Sequence, residues 1–255
     1  MPKHFIILIG GPGLFQSCDP KHDKTWKNYV VPVQVAAVED LYRRQADETV
    51  HWLVFEPPYR SRFTEDSDFS LSEKIEAFFS DRALHQVRKA AADEVIAKGA
   101  KSYLDRMRKF AATHGIQYHG LQTPGDFWTE LAAFPNGSIT RVWYSGHASP
   151  AGLFLSLTHD NACVAGTKDI IELAEITDHA ALEVKFVKGS TLASEFYGCG
   201  TSTFAKRFSD TFKVPAAGST NAVTFAVIGR SGGDLLERIR TTPTPQGDPQ
   251  WKVYP

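Results

Sequence analysis

Apolar residues fall into short continuous runs along the chain, and most of the segments between them show helical spacing instead. Runs of this length without polar alternation are typical of strands that are covered on both faces, as in a parallel sheet. We expect such strands at Phe5–Ile9, Val50–Phe55, Ile139–His147, the run that ends at Cys199, and Ala222–Ile228, with a further strand at Gly115–Leu121.

Helices are predicted where apolar residues recur every three to four positions or where capping residues precede a short segment. The helix that follows Cys199, for example, carries Phe204, Phe208 and Phe212 at four-residue spacing. Strands and helices in alternation imply right-handed crossovers and a mostly parallel α/β sheet that is flanked by helices. The other predicted helices are Pro32–Ala46, the segment that begins at Thr123, Thr167–Ile176, Asp178–Val187 and Asp234–Arg240.

Two segments depart from this alternation of strands and helices. Residues 59–114 are rich in charged side chains and carry apolar residues at helical spacing, which predicts an inserted helical hairpin at the rim of the sheet. It is open to interpretation as a lid, a surface for a regulatory protein partner or an activation element, but we favour a long crossover with a solvated charged face. Residues 241–255 form a Pro-rich tail. We treat residues 1–255 as a single domain.

Composition narrows the classes of function. The chain has 255 residues, of which 42% are hydrophobic, and a formal net charge of −1, so it carries no basic footprint for nucleic acid. The apolar run Phe5–Ile9 is too short for a membrane span or a signal-peptide core, which predicts a cytoplasmic protein without membrane association, although export without a signal peptide stays open.

The three cysteines have no paired spacing, which argues against a disulfide framework and a structural zinc site. We expect Cys18 and Cys163 to be packing residues. His114 and His119 are five positions apart, but no carboxylate or cysteine stands at ligand spacing beside them. We therefore expect neither a metal nor an organic cofactor.

Cys199 has the setting of a reactive thiol. It ends an apolar strand, lies between Gly198 and Gly200, and precedes a helix that Thr201 or Ser202 can cap. At a helix N-terminus the unpaired N–H groups and the peptide dipoles favour the thiolate, which is the nucleophilic form.

A partner for this thiol stands at the end of another predicted strand. The run Ile139–His147 breaks at Ser145-Gly146 and then reaches His147, which is 52 residues before Cys199. If both strands are parallel members of one sheet, both side chains emerge at the same edge, where open α/β sheets place their sites.

The two motifs, Tyr144-Ser145-Gly146-His147-Ala148 and Phe196-Tyr197-Gly198-Cys199-Gly200, resemble those of the caspase-like cysteine peptidases. This group includes caspases, legumains, gingipains and bacterial CHAT-domain proteases, and the resemblance in order, spacing and strand context covers roughly residues 4 to 230. It implies a caspase-haemoglobinase-like sheet and an endopeptidase that cleaves protein or peptide substrates. It also implies Cys199 as nucleophile, His147 as general acid and base, and the backbone N–H groups of Ala148 and Cys199 as oxyanion hole.

This chain departs from the family pattern at several positions. Ala148 replaces a glycine, Gly198 replaces an alanine or aspartate, and Tyr197 stands where the family often has a polar residue of the S1 pocket. Three further loop residues could line the same pocket, so the choice among basic, acidic and neutral P1 residues stays open. The substrate-binding candidates are Tyr197, Asp160, Ser219 and Thr220.

Two other functions compete with the peptidase. The departures at Ala148 and Tyr197 are compatible with an inactive caspase-like binding or regulatory module. The turn Gly10–Gly13 could hold phosphate in a nucleotide or small-molecule enzyme, but Gln16 stands where the dinucleotide fingerprint requires glycine and no Gly-Lys-Ser/Thr follows.

Overall fold

The structure is a computed structural model that describes residues 2–11, 13–15, 45, 47–61, 103–159, 165–224, 235–245 and 247–255. The strands are β1 (Lys3–Ile9), β2 (Gly13–Phe15), β3 (Glu48–Phe55), β4 (Gln117–Leu121), β5 (Ile139–Ser145), β6 (Ala148–Ser149), β7 (Gly152–His159), β8 (Ala165–Glu172), β9 (Ser194–Tyr197), β10 (Ala216–Ser219) and β11 (Trp251–Tyr254). The helices are α1 (Pro57–Ser61), α2 (Tyr103–Thr113), α3 (Gly125–Ala133), α4 (Glu175–Asp178), a 3₁₀ helix (Ala180–Lys185), α5 (Ser202–Phe212) and α6 (Leu235–Thr241).

Seven of these strands form one sheet in the order β11-β10-β9-β5-β1-β3-β4. Neighbouring strands are parallel throughout, except that β11 runs antiparallel to β10 at one edge. The predicted α/β class with a mostly parallel sheet is therefore confirmed.

The sheet is covered on both faces, which explains the continuous apolar runs. In β1, Phe5, Ile7 and Ile9 belong to a core cluster with α2 and α6, whereas Ile6 and Leu8 belong to a second cluster with α3 and α5. All five side chains are at most 1% exposed. Because successive residues of a strand point to opposite faces, a strand between two helical layers favours apolar residues at successive positions, as in Phe5–Ile9.

A second, four-stranded sheet lies beside the first. Strand β7 is central in it, pairing parallel with β2 and antiparallel with β6 and β8. The helix predicted at Thr167–Ile176 is wrong over its first part, because residues up to Glu172 belong to β8. β-branched residues such as Ile170 and Ile171 favour a strand once a partner strand is available. The helix predicted at Asp178–Val187 is a 3₁₀ helix instead.

The C-terminal part contains two further differences. Gly218 and Ser219, predicted in a loop, belong to β10, and part of the Pro-rich tail forms β11 against it. A Cβ atom at Gly218 would lie 2.7 Å from the carbonyl oxygen of Thr201, so close packing on α5 requires glycine in a strand of low intrinsic propensity.

Several predictions fall mainly or wholly outside the described residues. The helix Pro32–Ala46 and most of the insertion 59–114 are among them, and of that insertion the structure describes only its two ends, in α1 and α2. Residues 222–224 of the predicted strand Ala222–Ile228 have no regular structure, and the remainder is not described. Within the described ranges, no helix has both the length and the apolar character that crossing a membrane requires.

Candidate active site

The two strands that lead to His147 and Cys199 are direct neighbours in the sheet. Strands β5 and β9 are parallel, and Ser145 is paired with Tyr197. His147 and Cys199 each lie two residues beyond this pair, at the carboxyl ends of their strands. The register therefore brings both residues to the same edge, as a site in an open α/β sheet requires.

The loops that carry the two residues are in contact. The N–H of Gly146 donates a hydrogen bond of 3.1 Å to the carbonyl oxygen of Tyr197, which extends the pairing by one residue. A Cβ atom at Gly198 would lie 2.6 Å from the Cβ of Ala148 and 3.0 Å from the carbonyl oxygen of Gly146. Glycine at position 198 is therefore a condition of this close approach.

Cys199 carries a free, partly exposed thiol. Its Sγ lies 3.9 Å from the carbonyl oxygen of Val223, and the side chain packs against the core cluster that includes Val223 and Tyr197. The following Gly200 has a φ of +66°, and its N–H donates to the carbonyl oxygen of Asn221. This left-handed turn lets the chain pass from β9 into α5 immediately after the thiol.

Thr201 is the N-cap residue of α5, but its side chain does not make the predicted capping bond. The hydroxyl oxygen lies 2.6 Å from the carbonyl oxygen of Phe196 and 3.1 Å from that of Gly198, and it accepts the N–H of Ser219 at 3.2 Å. The hydroxyl thus ties the turn around Cys199 to strands β9 and β10.

His147 is held through its backbone. Its carbonyl oxygen accepts the N–H of Phe154 at 2.9 Å and the phenolic O–H of Tyr144 at 2.5 Å. The bond from the N–H of Phe154 to the carbonyl oxygen of His147 flanks the antiparallel pair of Ala148 and Leu153, which is the pattern around a pair that exchanges no hydrogen bonds of its own. The N–H of Ala148 thus faces away from β7.

Tyr144 is a residue of this site that sequence reasoning missed. Its hydroxyl lies within hydrogen-bond distance of the carbonyl oxygens of His147 and Phe154, and the side chain is fully buried. The available signal was a polar hydroxyl in an apolar run, three residues before a candidate catalytic histidine.

The predicted substrate-binding residues do not share one environment. Tyr197 is buried, and its hydroxyl bonds to the carboxylate of Glu195 and accepts from Arg240 at 3.0 Å. Burial, followed by the charge of Glu195, raises the pKa of the Tyr197 phenol well above its usual value. The role of Tyr197 in substrate binding stays a prediction.

The remaining substrate-binding candidates lie in or near β10. Ser219 is buried, and its Oγ accepts the N–H of Asn221 at 3.3 Å. Thr220 is partly exposed, and its N–H donates to the carbonyl oxygen of Gln250 at 3.0 Å. Asp160 lies outside the described residues, as do Cys18 and Cys163. Of the two described residues, Thr220 is the more exposed, and its hydroxyl lies 3.4 Å from the carbonyl oxygen of Gln250.

The turn at Gly10 and Gly11 is packed into the interior. Their N–H groups donate to the carbonyl oxygens of Ser145 at 3.1 Å and Leu155 at 2.7 Å. A Cβ at Gly11 would lie 2.0 Å from Cγ of Pro58. These two donors are therefore engaged within the protein, and the turn connects the two sheets.

A chain of histidines crosses the opposite part of the main sheet. Nδ1 of His4 lies 2.9 Å from Nε2 of His51, and Nδ1 of His51 lies 3.0 Å from Nε2 of His119. Nδ1 of His119 lies 2.9 Å from a carboxylate oxygen of Glu130. His51 faces a different neighbour with each ring nitrogen, so the three rings do not converge on one point. Among the described residues, no cluster of three or more His, Cys, Asp or Glu side chains could hold a metal ion.

Comparison with known proteins does not assign the chain to a family. A scan against models of protein families found no match, and a search of curated proteins found no significant relative. The function therefore has to be inferred from the geometry of the site.

Proposed function

We propose that the protein is a cysteine endopeptidase of the caspase-like type, with Cys199 as nucleophile and His147 as general acid and base. The observation that carries this proposal is the pairing of Ser145 with Tyr197, from which His147 and Cys199 are displaced equally, into loops that touch each other. A nucleophile and its base must meet within hydrogen-bond reach, and adjacent parallel strands supply that proximity for residues far apart in sequence.

The proposed reaction has two halves. The Cys199 thiolate attacks the peptide carbonyl carbon, and the tetrahedral intermediate collapses to a thioester as His147 gives a proton to the leaving amine. His147 then takes a proton from water, which attacks the thioester and releases the acid and the thiolate. The N–H groups of Ala148 and Cys199 are the proposed oxyanion donors, and the outward direction of the Ala148 N–H supports that assignment.

The other parts of the proposal follow from the same assignment. The seven-stranded sheet is taken as a caspase-haemoglobinase-like sheet in one domain, the substrate is a protein or peptide, and the site works in the cytoplasm without a metal or organic cofactor. A regulatory protein partner would bind through residues 59–114.

An inactive caspase-like module is the second candidate, and one observation favours it. Ala148 is 9% exposed, and its Cβ occupies the space against Gly198 where the family pattern has none. The nucleotide alternative lacks such support, because the N–H groups of Gly10 and Gly11 already donate hydrogen bonds to the carbonyl oxygens of Ser145 and Leu155. A thermal-shift measurement with nucleotides should accordingly show no stabilisation.

Covalent probes test the proposal directly. Peptidyl acyloxymethyl ketones with Asp, Asn, Arg, Lys or Leu at P1 are incubated with the wild type, Cys199→Ala, His147→Ala and a matched control, His179→Ala. His179 stacks on Trp128, with ring centroids 4.5 Å apart, away from the two loops. Peptide mass mapping identifies which cysteine is labelled.

We expect at least one probe to label Cys199, and His147→Ala to slow labelling by about 10²-fold or more while His179→Ala leaves it unchanged. Failure of every probe, or equal labelling of wild type and His147→Ala, would transfer our preference to the inactive module. The P1 residue of the fastest probe would identify the substrate preference.

A further inference from the structure

We infer that Tyr144 is a positioning residue, which holds the backbone of His147 so that its imidazole meets Cys199. This inference rests on the proposed function and adds to it a residue that makes no contact with substrate. Tyr144 lies near the end of β5, three residues before His147, and its side chain turns back toward the loop that follows its own strand.

The hydroxyl of Tyr144 joins two segments of chain. Its oxygen lies 2.5 Å from the carbonyl oxygen of His147 and 2.8 Å from that of Phe154, so one phenolic hydrogen is shared between two acceptors. The N–H of Phe154 donates to the same carbonyl of His147 at 2.9 Å. Through these bonds the loop with His147 is fixed to the second sheet at one point.

The backbone around this hydroxyl is shaped to admit it. A Cβ atom at Gly146 would lie 2.5 Å from the phenolic oxygen, and one at Gly10 would lie 3.0 Å from it. At each of these positions, the Cβ atom of any other residue would occupy space that the Tyr144 hydroxyl needs. Gly10 and Gly146 follow the ends of two different strands, and both lie against one hydroxyl, which indicates a site built around that group rather than a tyrosine buried for its ring alone.

The surroundings of the Tyr144 hydroxyl keep it protonated, so that it can donate a hydrogen bond. Burial raises the pKa of the Tyr144 phenol well above its usual value, and the neighbouring Tyr59 and Cys199 raise it further. The phenol therefore stays protonated at any pH at which a cysteine peptidase is active.

Loss of the hydroxyl should act on the rate of the chemical step. Without it, the carbonyl of His147 loses one of the two donors described above, and the loop gains freedom. A displacement of about 1 Å in a catalytic group costs on the order of 10²-fold in rate. Because Tyr144 is buried below the site, we expect kcat to fall and KM to change little.

The test compares two buried hydroxyls. Tyr144→Phe removes the bonds to His147 and Phe154, and the matched control Tyr59→Phe removes a bond of 2.8 Å to the carbonyl oxygen of Gly10 in the adjacent turn. Alkylation of Cys199 by iodoacetamide is followed by peptide mass from about pH 5 to about pH 9 in both variants, the wild type and His147→Ala. This reaction reports the pairing of thiol and imidazole without requiring peptidase activity.

We expect Tyr144→Phe to reduce the His147-dependent part of the alkylation rate by about 10-fold or more, and Tyr59→Phe to change it by less than about 2-fold. Equal effects of the two variants would overturn the positioning role and leave the proposed peptidase intact. A wild-type profile that is identical to that of His147→Ala would overturn both.

Should Tyr144→Phe fail to fold, as judged by circular dichroism, two non-natural residues at position 144 replace it. 4-Aminophenylalanine keeps a donor at the phenolic position, and 4-methylphenylalanine fills a similar volume without one. Recovery of the His147-dependent rate by the amino variant alone supports the role of the donor, whereas equal rates in the two variants contradict it.

Discussion

Two groups of histidines in this protein show how position in the sheet decides what an imidazole can do. His147 follows the end of a strand and lies in a loop that touches the loop of Cys199. His4, His51 and His119 lie within three adjacent strands and bond to one another in a line. A loop at the strand ends can present a side chain to a substrate, whereas side chains within the sheet have their hydrogen-bonding groups taken up by neighbours.

The histidine chain also has a defined arrangement of hydrogens when its rings are neutral. Nδ1 of His119 faces the carboxylate of Glu130 and therefore carries a hydrogen, which leaves its Nε2 to accept from Nδ1 of His51. Nε2 of His51 in turn accepts from Nδ1 of His4. A second proton on His51 would place two donors face to face unless His4 moved its hydrogen from Nδ1 to Nε2, so the chain favours the neutral form of His51.

The largest effect is expected from His51→Ala, which should destabilise the protein by about 3 kcal/mol. The substitution removes two hydrogen bonds and leaves a cavity against Phe134, whose ring lies edge-on to the imidazole at 4.7 Å. Urea unfolding measures the loss. The rate of Cys199 alkylation should not change, because His4 is paired with Ile139, at the end of β5 that lies opposite the loop of His147.

His179→Ala serves as the matched control for this variant. Its ring is partly exposed and stacks on Trp128, so we expect a loss below about 1 kcal/mol. Equal losses in the two variants, or a slower alkylation of Cys199 in His51→Ala, would break the distinction between the two groups of histidines.

A smaller loss of stability, with a clear effect on the site, is expected from Gly198→Ala. The new methyl group would lie 2.6 Å from the Cβ of Ala148, and overpacking of this kind costs about 1–3 kcal/mol. Because the two loops would have to separate, the His147-dependent alkylation of Cys199 should slow by about 10-fold. Gly125→Ala is the control, since the nearest atom to its Cβ is 3.8 Å away. A normal alkylation rate in Gly198→Ala would mean that contact between the loops does not determine the reactivity of the thiol.

The smallest expected effect is the loss of folding stability as the pH falls. Burial, followed by the charges of His119 and His4, lowers the pKa of His51 to about 3. The unfolded chain, where the pKa is near 6.5, binds a proton at His51 before the folded protein does, so stability decreases as pH falls below about 6.5. Between about pH 7.5 and about pH 5.5 the loss from His51 should be about 1 kcal/mol.

Urea unfolding at the two pH values, compared between the wild type and His51→Ala, isolates this contribution. His4, whose pKa burial also lowers, remains in both proteins and sets the background. An unchanged pH dependence in His51→Ala would show that the chain does not keep His51 neutral.

Much of the main sheet could be predicted from local patterns. The strands that contain Phe5–Ile9, Val50–Phe55 and the residues before His147 were identified because a strand covered on both faces favours apolar residues at successive positions, although β3 also buries His51 and β5 buries Arg141. The helix with Phe204, Phe208 and Phe212 was identified because its buried stripe follows the helical period. Strand β8 was missed because its helix-like spacing conceals a pairing with β7.

The sequence by itself thus determined where the central apolar strands lie, because hydrophobic periodicity is a local property. It predicted that two of them end at His147 and Cys199, and in the structure these strands end at Ser145 and Tyr197, two residues earlier in each case. Only the tertiary structure decided that β5 and β9 are neighbours with Ser145 opposite Tyr197. It also decided that Tyr144 reaches the carbonyl of His147, and that three distant histidines form one chain. These contacts join residues that are far apart or on different elements, and such partners are selected by packing across the whole sheet, which no local pattern contains.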